Sequence, residues 1–206
     1  MALASMSTLD GRLSAVASPA ARRMGVGTGV LAQLVGLLGA TGLLALAVGM
    51  NGSRGVRIAL LITGWLAVYL SSHAVAHWGV GLLVGIGFRG FAIRGTDHPQ
   101  TYPPGLRQVM SAAPFWVAVP DRASLRRATP RRRAAMLGAG MASTTLCSLG
   151  AAGAAAAEGA PGARIFLLVV AAWLAGATVT SFTTPRGDYR RALVALRESP
   201  SSHSEG

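Results

Sequence analysis

The sequence predicts an all-α integral membrane protein with about four transmembrane helices. Of its 206 residues, 51% are hydrophobic and only 13% are charged, whereas a soluble domain carries about 25% charged residues. The apolar residues fall into long runs, and about 20 apolar residues are enough to cross a bilayer as a helix. The low charge indicates that much of the surface faces lipid, and the length leaves room for four spans without a sizeable soluble core.

Four apolar runs define a predicted membrane domain over residues 26–183. The first span, 26–50, is uncharged and ends at a polar turn. The second run, 56–86, is longer than one crossing requires, so the helix is either tilted or gives way to another structure after about Val84. The third and fourth spans are predicted at 134–157 and 165–183, with a Gly-containing turn between them.

Three polar segments flank these runs. The amino-terminal tail, 1–25, lacks the long apolar run and cleavage site of a signal peptide and is interpreted as a cytoplasmic tail. The loop 89–133 contains six prolines, which exclude a long straight helix. Its apolar part, 111–119, is too short to span and is expected at the interface. The tail 184–206 is predicted to form a short amphipathic helix after Gly187.

The basic residues predict the orientation of the chain. All 19 are arginines, and the net charge is +12. Nucleic-acid binding would need a basic face on a folded soluble module, so we expect no nucleic-acid partner and interpret the charge as topology. Sixteen arginines lie in the two tails and the central loop, and three lie in the other loops. The positive-inside rule therefore places both termini in the cytoplasm of a cell-membrane protein.

Two histidines within the second apolar run are the leading candidates for chemistry. The single cysteine, Cys147, excludes a disulfide or multi-thiolate site within the chain. His73 and His77 stand four residues apart, so on a helix both face one side, and that spacing lets two imidazoles bind one metal ion. The alternative is that they hydrogen-bond across helices or lie at the cytoplasmic boundary.

The segment SHAVAHWGVGLLVGIGFRGFAIRG, residues 72–95, resembles the first core motif of the site-2 protease family of intramembrane zinc metalloproteases. That family carries HExxH in a membrane helix, followed by aliphatic residues, a Gly-aliphatic step and a strand-like segment. The resemblance implies a site-2-protease-like core with zinc ligands at His73 and His77. Gly85 falls where the family chain leaves the helix, which accounts for the excess length of the second run.

Two further segments resemble motifs of the same family. MLGAGMASTTL, residues 136–146, is similar to a Gly-Pro-x-x-Asn helix, with Gly140 in place, Met141 at the Pro position and Ser143 one residue before the Asn position. TTPRGDYRRAL, residues 183–193, is similar to the motif in which an aspartate completes the zinc site, which implies Asp188 as the third ligand. The alternative for Asp188 is an amino-terminal helix cap in the tail.

A depth estimate bears on whether these three side chains can meet. His77 lies 20 residues from Arg57 near the external face, and Asp188 lies 23 residues from Ile165. At a rise of about 1.5 Å per residue, the two depths differ by only about 5 Å. Both positions fall toward the cytoplasmic side, so we expect the three side chains to be able to meet.

The chain departs from the family at the residue that activates water. The family glutamate, the general base for the zinc-bound water, corresponds to Ala74, which cannot accept a proton. Asp97 and His98 are the nearest substitutes. The resemblance with this departure predicts a metalloprotease-like pseudoenzyme that binds zinc, lies in the lipid bilayer, and holds a transmembrane segment of another protein without cutting it. The alternatives are a structural or accessory membrane protein without metal, and a small transporter, for which no repeat is evident.

Overall fold

The computed structural model describes residues 22–95, 104–105, 107–108 and 113–198. The element order is β1 (Arg22–Met24), α1 (Val26–Gly49), α2 (Arg54–Leu83), β2 (Phe88–Arg94), β3 (Phe115–Pro120), α3 (Arg122–Arg127), α4 (Pro130–Ala157), α5 (Ala163–Thr183) and α6 (Asp188–Arg197).

The chain is mostly helical, with four helices long and apolar enough to span a membrane. These are α1, α2, α4 and the stretch Ala163–Arg197, which contains α5. Large apolar side chains on α1 are exposed, among them Leu31 at 63% and Leu38 at 73%. Such a surface is unfavourable in water and suits contact with lipid. The prediction of a multi-pass membrane protein is therefore supported at this level.

The boundaries of the helices differ from the prediction at their ends. α2 runs from Arg54 to Leu83 rather than over 56–86, and α5 begins two residues before the predicted position. The third span begins at Pro130 rather than at residue 134, because Thr129 caps the helix and accepts a hydrogen bond from the Arg132 amide. Proline is tolerated at the first helical position, where its missing N–H has no partner to lose.

The expectation of an all-α chain is incomplete, because three strands form an antiparallel sheet in the order β1-β2-β3. Residues 22–24, expected in the tail, pair with β2. Residues 115–120 of the predicted loop pair with β2 on its other side. A side chain at Gly90 would overlap the Met24 carbonyl, so glycine at this position lets β1 approach. The polar residues and prolines of these segments give no local strand pattern, because the strands are defined by pairing between distant parts of the chain.

The second helix ends where the sequence suggested a change of structure. Gly85 adopts φ +81°, and the Ile86 amide donates to the Gly81 carbonyl at 2.8 Å, which closes the helix in the manner of a Schellman turn. The fully buried Ile86 then anchors the turn into β2. The amphipathic helix predicted after Gly187 is confirmed as α6.

The arrangement gathers all of the shorter elements at one end of the helix bundle. Short turns join α1 to α2 and α4 to α5 at the other end. The sheet, α3 and α6 are attached to the starts of α1 and α4 and to the ends of α2 and α5. Small residues bring the helices close together; for example, an added side-chain atom at Gly64 would press on Leu44. This packing fixes α2, α4 and α6 around one site.

Candidate metal centre

Three side chains from two helices converge on one point. The Nε2 atom of His73 lies 3.0 Å from Asp188 Oδ2, and the Nε2 atom of His77 lies 3.2 Å from the same oxygen. The two Nε2 atoms are 3.2 Å apart. All three side chains are partly buried. The structure therefore brings together the three residues that the sequence selected, as the depth estimate allowed.

Helix α2 supplies the two histidines from one face. Their spacing of four residues places one ring above the other, and the ring centroids are 4.8 Å apart in an edge-to-face arrangement. His77 lies six residues before the end of α2, or about 9 Å along the axis. The site is consequently near the end of the span, close to the sheet.

Contacts with α4 fix the orientation of both rings. The Nδ1 atom of His77 donates to the Met136 carbonyl oxygen at 2.7 Å. A carbonyl can only accept, so this nitrogen carries the proton and the Nε2 lone pair of the neutral ring points into the centre. His73 Nδ1 lies 3.1 Å from the Thr144 hydroxyl oxygen. Outer contacts of this kind are those that orient metal-bound histidines.

Asp188 is placed by the turn between α5 and α6. It is the first residue of α6, whereas Gly187 occupies the cap position without a side-chain hydrogen bond. The interpretation of Asp188 as a helix cap is therefore wrong, and its carboxylate faces the histidines instead. The Tyr189 amide donates to the buried Ser181 hydroxyl at 3.1 Å. A side chain on Gly187 would overlap the Ser181 backbone, so this close turn needs glycine.

Gly140 allows α4 to approach the histidines. A side chain at this position would overlap the His77 ring at its Nε2 edge. One turn away, the Ser143 hydroxyl donates to the Ser72 carbonyl at 3.4 Å, and Met141 is buried against the site. The segment singled out by the sequence thus packs directly on α2 at the level of the two histidines.

The atoms in the centre are short of protons. His77 Nε2 is an acceptor, Asp188 is an acceptor when ionised, and both lie within 3.2 Å of His73 Nε2. If His73 Nε2 carries no proton, the three lone pairs repel one another unless a cation lies between them. Zinc ligands at about 2.0–2.1 Å in a tetrahedron are about 3.3 Å apart, close to the separations of 3.0 to 3.2 Å seen here. The donor set therefore fits zinc.

A cleft of about 290 Å³ opens beside the three residues. Its walls come from α2, the edge strand β3, α4 and α6. Among the described residues that line it, Asp188 is the one carboxylate. Ala74, next to His73, is fully buried. Asp97 and His98, the suggested substitutes for the missing base, lie outside the described residues.

Comparisons with known proteins leave the family open. No protein-family model, no curated protein and no solved structure matches the chain. The geometry of the centre therefore carries the functional argument.

Proposed function

We propose that the chain is a site-2-protease-like integral membrane metalloprotein that holds zinc with His73, His77 and Asp188. The single observation that carries the proposal is the convergence of two imidazole Nε2 atoms and one carboxylate oxygen within 3.2 Å of one another. A zinc ion would accept a lone pair from each of these three atoms. Two histidines and one carboxylate are a known catalytic-type zinc set, which leaves a further coordination position open.

Three features of the centre support the likeness to site-2 proteases. The two histidines lie on one membrane-type helix that ends at a glycine and passes into a strand. A second helix approaches them at Gly140. The aspartate follows the last long helix after a Pro-containing turn. This order along the chain is the order of the family motifs.

The proposed protein lacks standard proteolytic activity. A general base must reach the attacking water through a hydrogen bond, and Ala74 provides only a methyl group at the glutamate position. Asp188 is the one carboxylate among the described residues of the cleft wall, and it already contacts the two histidines. We therefore propose that the protein binds a transmembrane segment of another protein without cutting it, in a cell membrane with both termini cytoplasmic.

The competing function is a structural or accessory membrane protein in which the same residues form a hydrogen-bonded cluster. In that case the proton on His73 Nε2 is donated to the Asp188 carboxylate, and no metal ion is needed. The two functions differ in how the folded protein responds to zinc. A ligand that binds only the folded state raises the melting temperature by mass action, whereas a hydrogen-bonded cluster gains nothing.

The test is a thermal melt of detergent-purified protein with zinc and after chelation. It uses a Cys147→Ala background, because the exposed thiol could bind zinc by itself. Zinc should raise the melting temperature of this protein and leave the His73→Ala and His77→Ala variants unchanged. Equal melting curves with zinc and with chelator would reject the metal site.

The lack of proteolysis is tested separately by incubating the native protein with a transmembrane peptide substrate. We expect no product with zinc present. Metal-dependent cleavage that is lost in His77→Ala would contradict the non-proteolytic part of the proposal and leave the metal site intact.

A further inference from the structure

The cleft beside the candidate metal centre has a positively charged rim. Arg94, Arg186 and Arg191 line it and come from three different elements, the end of β2, the α5–α6 turn and α6. Asp188 is the one acidic residue among the described lining residues, and its charge is directed at two histidines. Arg186 and Arg191 therefore give the cleft an attraction for anions whether or not a metal is bound.

Other residues that line the cleft are apolar and aromatic. Phe115 and Trp116 begin β3, and Tyr69 and Leu70 approach from α2. Arg94 pairs with Phe115 in the antiparallel register, so the two side chains leave the same face of the sheet. A guanidinium and an aromatic ring are thus neighbours at the mouth of the cleft, which suits a ligand with an anionic head and an apolar chain.

The rim lies at one end of the helix bundle, where a membrane-spanning orientation would place the lipid headgroups. α2 ends at Leu83 and α5 ends at Thr183 at the same end of the bundle. Arg186 follows the end of α5 by three residues, and Arg191 lies three residues after Asp188 on α6, so it shares a side of that helix with the carboxylate. Arginine pairs with phosphate through two parallel hydrogen bonds, and the cytoplasmic leaflet is rich in anionic lipid.

We propose that this cleft binds an anionic phospholipid, with its phosphate on Arg94, Arg186 and Arg191 and an acyl chain against Phe115 and Trp116. The volume of about 290 Å³ accommodates the phosphate and glycerol region, and the chains extend into the bilayer. This binding is independent of the proposed metal site, because the arginines supply the attraction. A peptide with a free carboxylate is the competing ligand, and the apolar wall facing a lipid-embedded bundle favours the lipid.

The test measures binding to the full chain, purified in detergent with chelator in every sample. The probes are dihexanoyl phosphatidic acid, dihexanoyl phosphatidylcholine and inorganic phosphate, and native mass spectrometry gives the affinities. The anionic lipid should bind at least about tenfold more tightly than the other two probes. Inorganic phosphate binding as tightly as the anionic lipid would overturn the lipid assignment in favour of a simple anion site.

Variants locate the site on the cleft. Arg191→Gln should weaken binding of the anionic lipid about tenfold, since a charged hydrogen-bond donor is lost. Arg190→Gln is the matched control, because Arg190 is exposed on the same helix and is not among the cleft-lining residues. It should change affinity less than about twofold. Equal losses in the two variants would show diffuse charge attraction and overturn the site.

Two additions keep the result decisive. If Arg191→Gln fails to give a monodisperse protein, Arg186→Gln in the α5–α6 turn takes its place with the same expected loss. A peptide ending in a free carboxylate is added as a competitor in a final arm. Displacement of the lipid by this peptide at a lower concentration than the lipid itself requires would assign the cleft to a peptide ligand and overturn the proposal.

Discussion

The Nδ1 atom of His77 donates a hydrogen bond to the backbone carbonyl of Met136, 2.7 Å away across the α2–α4 interface. Because Nδ1 carries the proton, it has no lone pair for a metal, and Nε2 is the nitrogen of His77 that is available to bind one. It comes from the backbone, so the side chain at position 136 does not control it. α4 therefore acts on the candidate centre through its position more than through its side chains.

Thr144 is the side-chain exception and gives the first prediction. Its hydroxyl lies 3.1 Å from His73 Nδ1 and it is 1% exposed. Thr144→Val keeps the shape and removes the hydroxyl, and loss of such an outer contact weakens metal binding about 10- to 100-fold. Competition with a chelator of known affinity measures the change.

The neighbouring threonine supplies the control. Thr145 also has a buried hydroxyl, but that oxygen has no hydrogen-bond partner among the described residues. Thr145→Val should leave zinc affinity unchanged and the protein at least as stable, because an unpaired buried hydroxyl is costly. Similar zinc affinities in the two variants would show that the Thr144 contact does not orient His73.

Gly140 gives the second prediction. Gly140→Ala pushes a methyl group into the His77 ring, so either the ring turns or α4 moves, at a cost of about 1–3 kcal/mol. The zinc affinity should fall by about tenfold or more. Gly150→Ala is the control on the same helix, since an added carbon at Gly150 meets nothing within 4 Å. An unchanged zinc affinity in Gly140→Ala would contradict the close approach of α4.

The sequence was most informative where a pattern is local. Long uncharged runs give the helices α1 and α5 almost directly. The spacing of His73 and His77 predicts a shared helix face without any knowledge of the rest of the fold. The depth count placed Asp188 near His77 because helices in a bilayer have a fixed rise and a fixed thickness to cross.

The sequence was least informative where structure depends on distant pairing. β1 has only three residues, and it exists because Gly90 lets it reach β2. The apolar segment 111–119 is too short to span, which predicts a position at the membrane interface, whereas Phe115–Pro120 forms a strand of the sheet. The contact between His77 and the Met136 carbonyl could not be predicted from the sequence, because every residue type carries a backbone carbonyl.

The third prediction concerns topology. In a Cys147→Ala background, a cysteine placed at Arg132 should resist a membrane-impermeant maleimide in intact cells, because the proposed orientation places the arginine-rich end in the cytoplasm. A cysteine at Asn51, in the turn at the opposite end, should react. Labelling at position 132 together with protection at position 51 would reverse the orientation.

The fourth prediction concerns Asp121, which caps α3. The Ser124 amide, followed by the Arg89 side chain, holds the pKa of this carboxyl below its usual value. A lowered pKa in the folded state stabilises the protein above the unfolded pKa of about 3.9, and this stabilisation is lost as the pH falls through the folded value.

Asp121→Ala should therefore melt at a lower temperature than the native protein near neutral pH. The gap should narrow as the pH falls below about 4. Asp121→Asn keeps a capping side chain, so its melting temperature should fall less than that of Asp121→Ala. A gap that does not change with pH would show that the charge on Asp121 contributes nothing to stability.

The central claim is that His73, His77 and Asp188 hold one zinc ion. Elemental analysis of detergent-purified Cys147→Ala protein, never exposed to chelator, tests it most directly. We predict about one zinc per chain, lost in His73→Ala and in His77→Ala. Retention of zinc in Asp188→Ala would exclude only Asp188 as a ligand. The double variant His73→Ala/His77→Ala gives the background zinc content. A folded, monodisperse Cys147→Ala sample with no more zinc than this background would contradict the claim.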